Sequence, residues 1–252
     1  MKSLIRKLIP HFLLECLRRF KRSKRQNKNR NKSIEEVFTD IYETNKWGGS
    51  KKQFCSGTGS TDLKVVSEYI TMVTKKAYSE GFLGLNFVDL GCGDFRIGQQ
   101  LLPLCSSYIG IDIVKSLISS NQERYGNHKT IFKHLNIVDD ELPDGDVCFV
   151  RQVLQHLSNK QIINVLKKLK KYTWVFITEH YPTDNDAIKP NIDKVHGADI
   201  RLYENSAVYL LKPPFELSKN TLSEVLEVPG GIIREKGNDT GSIRTFLYKP
   251  IV

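Results

Sequence analysis

One stretch constrains this chain more than any other: Phe87-Val88-Asp89-Leu90-Gly91-Cys92-Gly93-Asp94-Phe95-Arg96-Ile97-Gly98. The apolar run over 86–90 reads as a buried parallel strand. Two glycines and an acid follow, and then Ile97, Leu101 and Leu102 recur at helical spacing. The order is strand, tight turn, helix. Gly91 and Gly93 lack a Cβ, so a ligand can lie against bare backbone. The helix start offers free N–H groups and a positive dipole end. The turn is not G-x-G-x-x-G, and it lacks the Lys-Ser/Thr of a phosphate loop.

The next unit sharpens this reading. Residues 108–113 form a second strand, and Asp112 sits near its end, about 20 residues downstream, where a doubly wound nucleotide fold places the carboxylate for a ribose hydroxyl pair. Asp89 on the first strand would repel a pyrophosphate and suits a cationic ligand. A sulfonium-bearing amino acid nucleoside therefore fits better than a dinucleotide.

V-D-L-G-C-G-D followed by Y-I-G-I-D resembles motifs I and II of class I S-adenosylmethionine-dependent methyltransferases, over roughly residues 86–180. The resemblance implies a doubly wound α/β fold with a mostly parallel seven-stranded sheet. It also implies a closing antiparallel hairpin, from 222–228 and 243–248 around Pro229-Gly230-Gly231. The implied cofactor is S-adenosylmethionine, held by Asp89, Gly91, Gly93, Asp112, Asn136, Ile137 and Arg151. Asn136 stands where family members more often carry an Asp that meets the adenine amino group; Asp139 is the alternative.

The formal charge of +10 suggests nucleic acid until it is located. Residues 1–32 hold 12 Lys/Arg and one acid, Glu15, a net +11; the remaining 26 basic and 27 acidic residues give −1. The body is near neutral, so a basic groove for DNA or RNA is not supported. The motifs that accompany methylation of nucleic-acid bases, Asp/Asn-Pro-Pro-Tyr and Pro-Cys, are also missing after the fourth strand. Residues 1–20 read as a basic amphipathic helix, with Phe12, Leu13, Cys16, Leu17 and Phe20 as its stripe after Pro10. Such a helix lies on an anionic membrane surface or packs on the enzyme body. It is too short in apolar residues to span a bilayer, and no signal-peptide cleavage pattern follows. Residues 21–32 have nothing apolar and read as a flexible basic linker. Five cysteines without C-x-x-C point to reduced thiols in a cytoplasmic protein, peripheral on the inner membrane face if the helix binds lipid.

The catalytic body is expected over 33–252. Ser33 and Glu36 form a capping box for its first helix, and Thr61 is expected to cap the second. Residues 33–80, with Asn45-Lys46-Trp47-Gly48-Gly49 and Ser56-Gly57-Thr58-Gly59-Ser60-Thr61, look like a helical lid over the cofactor cleft. That pairing resembles a subgroup of methyltransferases encoded with bacterial and viral surface-glycan genes. The long segment 183–215 reads as an acceptor-binding insertion. Trp47, His196 and Arg201 are the candidate substrate contacts. His180, which follows the fifth strand, is the first candidate base for a hydroxyl acceptor, with His156, Asp193 and His196 behind it. No metal-ligand spacing is present. The expected activity is methyl transfer to a glycan hydroxyl. A small-molecule or protein acceptor, or a cofactor-binding pseudoenzyme, is the alternative.

Overall fold

The computed structural model describes residues 11–50, 53–183, 187–230 and 241–251. The apolar residues before Pro10, and Gly231 of the closing turn, lie outside the described residues.

Helix α1 spans His11–Asn29, α2 Ile34–Glu43 and α3 Leu63–Glu80. Then β1 (Leu85–Leu90), α4 (Gly98–Leu101), β2 (Cys105–Asp112), α5 (Lys115–Tyr125) and β3 (Thr130–His134) follow. The chain continues with β4 (Val147–Arg151), α6 (Asn159–Leu169), β5 (Trp174–Tyr181), β6 (Leu222–Pro229) and β7 (Ser242–Tyr248). The seven strands form one sheet in the order β3-β2-β1-β4-β5-β7-β6. Every pairing is parallel except those of β7, which runs antiparallel to both β5 and β6. Strand order reverses at β1, between β2 and β4. The crevice outside the carboxyl ends of these strands is where doubly wound sheets bind ligands.

Alternation along the strands builds two cores. Val88, Leu90, Cys148, Val150, Val175 and Ile177 face α2 and α6. Phe87, Val147, Phe149 and Phe176 face α3, where Phe149 and Phe176 stack at 5.4 Å. Continuing the second face one step toward the carboxyl ends brings Asp89 and Arg151 above the aromatic layer.

The capping box of α2 is present: Ser33 Oγ accepts from the Glu36 amide, and Glu36 accepts from the Ser33 amide. Three local expectations are corrected. First, residues 21–29 are not an irregular linker but the second half of α1, which its ion pairs to the 199–204 segment hold in place. Second, Asp62 rather than Thr61 caps α3, because its carboxylate accepts from the Val65 amide. Third, β5 runs through Tyr181, so His180 lies within the strand rather than after it. Here β7 supplies partners for Glu179, His180 and Tyr181.

Candidate active site

The turn after β1 carries two left-handed glycines. Gly91 has φ +79, and a Cβ there would stand 2.4 Å from Val153 Cγ2. Gly93 has φ +55, and its Cβ would meet Ser56 Oγ at 2.2 Å. Both positions need glycine for conformation and for space. A cavity of ≈ 230 Å³ opens in front of this turn. It extends across the carboxyl ends of β1, β2 and β4 to α2 and the Trp47 loop.

Two buried carboxylates face it. Asp89 accepts from the Tyr108 hydroxyl, and burial pushes its carboxyl up to about 6. Asp112 accepts from the Gly93 amide at 3.2 Å and the Val114 amide at 3.1 Å, which fixes its orientation. Burial outweighs those bonds and raises it, also to about 6. Asn136 and Ile137 line the cavity beside Asp112. Asn136 Oδ1 accepts from the Val138 amide, and its Nδ2 donates to Asp139. Asp139 is not among the lining residues.

Arg151 enters from the end of β4. Its Nη2 donates to the Gly59 carbonyl at 2.7 Å, and its guanidinium lies 5.0 Å from the Tyr69 ring centre. Burial lowers its pKa, and Nε has no partner. Gln152 and Gln155 also line the cavity, with Gln152 Nε2 and Gln155 Oε1 buried and unpaired. Buried polar atoms without partners are rare in folded proteins. These three belong to residues that line one cavity, a place where a polar ligand could supply the missing partners.

At the far end, Trp47 and His156 stand 5.0 Å apart, with Phe38 and Tyr42 packed on Trp47. His156 Nδ1 lies 3.1 Å from the Gly197 carbonyl, which can only accept, so the proton sits on Nδ1. Burial, reinforced by Lys194, holds the imidazole down to about 3. The ring is therefore neutral near pH 7, with Nε2 as a free acceptor type.

The other predicted residues lie elsewhere. His180 is buried on β5 and does not line the cavity. It also faces away from Glu179, as neighbours on a strand do. Glu179 accepts instead from the Leu154 and Gln155 amides at 2.8 and 3.1 Å, and burial pushes it up to about 8. Asp193 accepts from the Asn159 amide at the start of α6. His196 bridges the Lys32 carbonyl and Gln161. Arg201 donates to the Ile192 and Leu157 carbonyls. These three fasten the 183–215 segment to the body. The part of that segment that reaches the cavity is Ala198, Ile200 and Tyr203.

Residues 88–173 match a family model described as a methyltransferase domain. The matched segment is about a third of the chain. It runs from β1 to the residue before β5 and contains both buried carboxylates. No curated protein matches the chain. Among solved structures, a SAM-dependent methyltransferase of Leishmania major is similar in fold. It shows 14% identity, 86% of this chain and 84% of that chain covered, and a TM-score of 0.56. The magnesium protoporphyrin IX methyltransferase of Synechocystis PCC 6803 gives 14%, 86%, 97% and 0.52. The N-methyltransferase NodS of Bradyrhizobium japonicum WM9 gives 16%, 75%, 99% and 0.51. These likenesses concern the fold.

S-adenosylmethionine is the cofactor of a methyltransferase domain of this kind, and the residues present fit it. The cradle at Gly91 and Gly93 has no room for side chains. Asp112 offers oxygens for ribose hydroxyls. Asp89 matches a cationic amine, and the unpartnered Arg151 Nε and Gln152 Nε2 match a carboxylate.

Proposed function

We propose that this protein transfers the methyl group of S-adenosylmethionine to a hydroxyl of a glycan sugar. The observation that carries the reading is the neutral His156, with its proton committed to Gly197, next to Trp47 in the same cavity as Asp89 and Asp112. Trp47 supplies an apolar face on which a sugar ring stacks. His156 Nε2 accepts the hydrogen bond of the hydroxyl and aims the oxygen lone pair.

The cofactor supplies an electrophilic methyl, and the enzyme's task is mostly placement. As the acceptor oxygen gains the methyl, its proton becomes strongly acidic. An imidazole held near 3 therefore still takes it at Nε2. The base is thus reassigned from His180 to His156. Ile200 and Tyr203 line the same cavity as Trp47. All five cysteines are free, which supports a reducing, cytoplasmic setting. A small-molecule or protein acceptor is the competing reading.

The test is turnover against a panel of glycans and small hydroxyl compounds, with product mass read by spectrometry. A mass gain of one methyl on a glycan hydroxyl supports the reading. Methyl transfer confined to an amine or a non-sugar acceptor overturns it.

A further inference from the structure

Helix α1 is mounted the wrong way round for an ordinary surface helix. Amphipathic helices bury the apolar stripe and leave the polar one in water. Here Arg22 donates from Nε to Glu204 at 3.1 Å, and Arg25 grips Asp199 with two bonds of 3.1 and 2.7 Å. Asn29 donates to the His196 carbonyl. The docked side is ionic. Leu13, Leu17 and Phe20 recur at i, i+4 and i+7, and they are 48%, 50% and 69% exposed. Arg22 is nine residues from Leu13, which is two and a half turns, so the two faces are opposed.

The cations choose the occupant. Lys21, Lys24 and Lys28 are exposed on or beside the apolar stripe, Arg19 is exposed as well, and residues 1–32 carry a net +11. A repeated positive charge of this size disfavours a second copy of the same helix and favours an anionic surface. No helix among the described residues is long and apolar enough to cross a membrane.

The ionic side reaches the active-site wall. Asp199 and Glu204 bracket Ile200 and Tyr203, which line the cavity, and the Arg22 guanidinium lies 5.5 Å from the Tyr203 ring centre. We infer that α1 seats Leu13, Leu17 and Phe20 in an anionic bilayer surface and, through Arg22 and Arg25, braces the 199–204 wall against that surface. The active site then opens at a fixed height above the lipid, and the bound state holds the wall more tightly than the free one. The bracing role rests on the proposed reading only in taking that wall as the acceptor side.

The experiment uses the full chain and phosphatidylcholine vesicles with and without phosphatidylglycerol. Co-sedimentation should favour the anionic vesicles by about tenfold or more and fall with added salt. Leu17→Glu with Phe20→Glu, both at exposed positions, should remove that preference. S-adenosylhomocysteine titrated into the same samples should bind equally, which shows an intact fold and separates this inference from the methyl-transfer reading. Amide exchange over 199–204 should slow on vesicle binding in the wild type. It should not slow in Asp199→Asn, which should still bind. Equal binding to neutral vesicles, binding retained by the double variant, or unchanged exchange over 199–204 overturns the inference. So does a mass doubling in light scattering that Phe20→Glu abolishes, since a second copy would then cover the face.

Discussion

Ser56 and Asp94 exchange two hydrogen bonds across the glycine turn: the Asp94 amide donates to Ser56 Oγ at 2.8 Å, and the Ser56 amide donates to an Asp94 carboxylate oxygen at 3.3 Å. Ser56 Oγ also lies 3.0 Å from the Tyr42 hydroxyl. The 56–60 loop is therefore fastened to the element that cradles the cofactor.

Replacing Ser56 by Ala removes the side-chain half of that link. We expect donor affinity to fall by about 0.5–1.5 kcal/mol, the range for a neutral hydrogen bond, with little loss of fold stability. Calorimetric titration of S-adenosylhomocysteine reads the change; an unaltered affinity would mean that the loop closes without this contact.

The buried carboxylates predict a pH dependence. Asp89 and Asp112 hold their protons up to about 6, above the ordinary 3.8. Donor binding needs both ionised, so affinity should drop by roughly tenfold for each carboxyl per pH unit below about 6. The stability of the free protein has the opposite sign. The folded state binds these protons more tightly than the unfolded state, so stability falls as pH rises from 3.8 to about 6. Titrations and melts at about pH 5 and about pH 7.5 test both signs. Asp112→Ala should cost about 1.5–3 kcal/mol of donor affinity.

His156 and His180 are separable by kinetics. His156→Ala should lower kcat by about 10²-fold with donor affinity unchanged. His180→Ala should leave kcat near wild type. Because His156 is held at about 3, it should contribute no acidic limb to the rate near its ordinary 6.5. A wild-type rate in His156→Ala would remove it from the chemistry.

Gly91→Ala tests the turn itself. The new methyl would collide with Val153 at a φ that side chains rarely adopt. The cost should be about 1–3 kcal/mol, seen as a melting temperature lowered by several degrees. A melting temperature equal to wild type would show that the turn relaxes freely.

Legibility in the sequence followed the range of the interactions. The glycine turn, Asp112 and the Ser33–Glu36 capping box are local patterns, and the strand and turn chemistry places them directly. The mostly parallel seven-stranded sheet came through the resemblance, and the observed sheet has seven strands of which β7 runs antiparallel to its neighbours. Residues 21–29 were illegible because nothing apolar marks them; their partners, Asp199 and Glu204, lie over 170 residues away. His180 was misplaced because β7, far along the chain, extends β5 beyond its apolar run. Asp193 has the right chemistry for a base and Arg201 for a substrate contact, but they serve a helix start and two backbone carbonyls. Gln152 and Gln155 had no role assigned to them, and their unpaired atoms become visible only once the cavity exists.

The ion pair between Arg22 and Glu204 spans 182 positions of sequence. During synthesis, Arg22 leaves the ribosome well before its partner is made. At about 5–20 residues per second the interval is roughly 10–40 s. Throughout it, α1 has an apolar stripe and a set of cations but no body to dock on. Whatever surface it meets first is met by an unpartnered nascent helix, so the order of synthesis favours attachment before the enzyme is assembled.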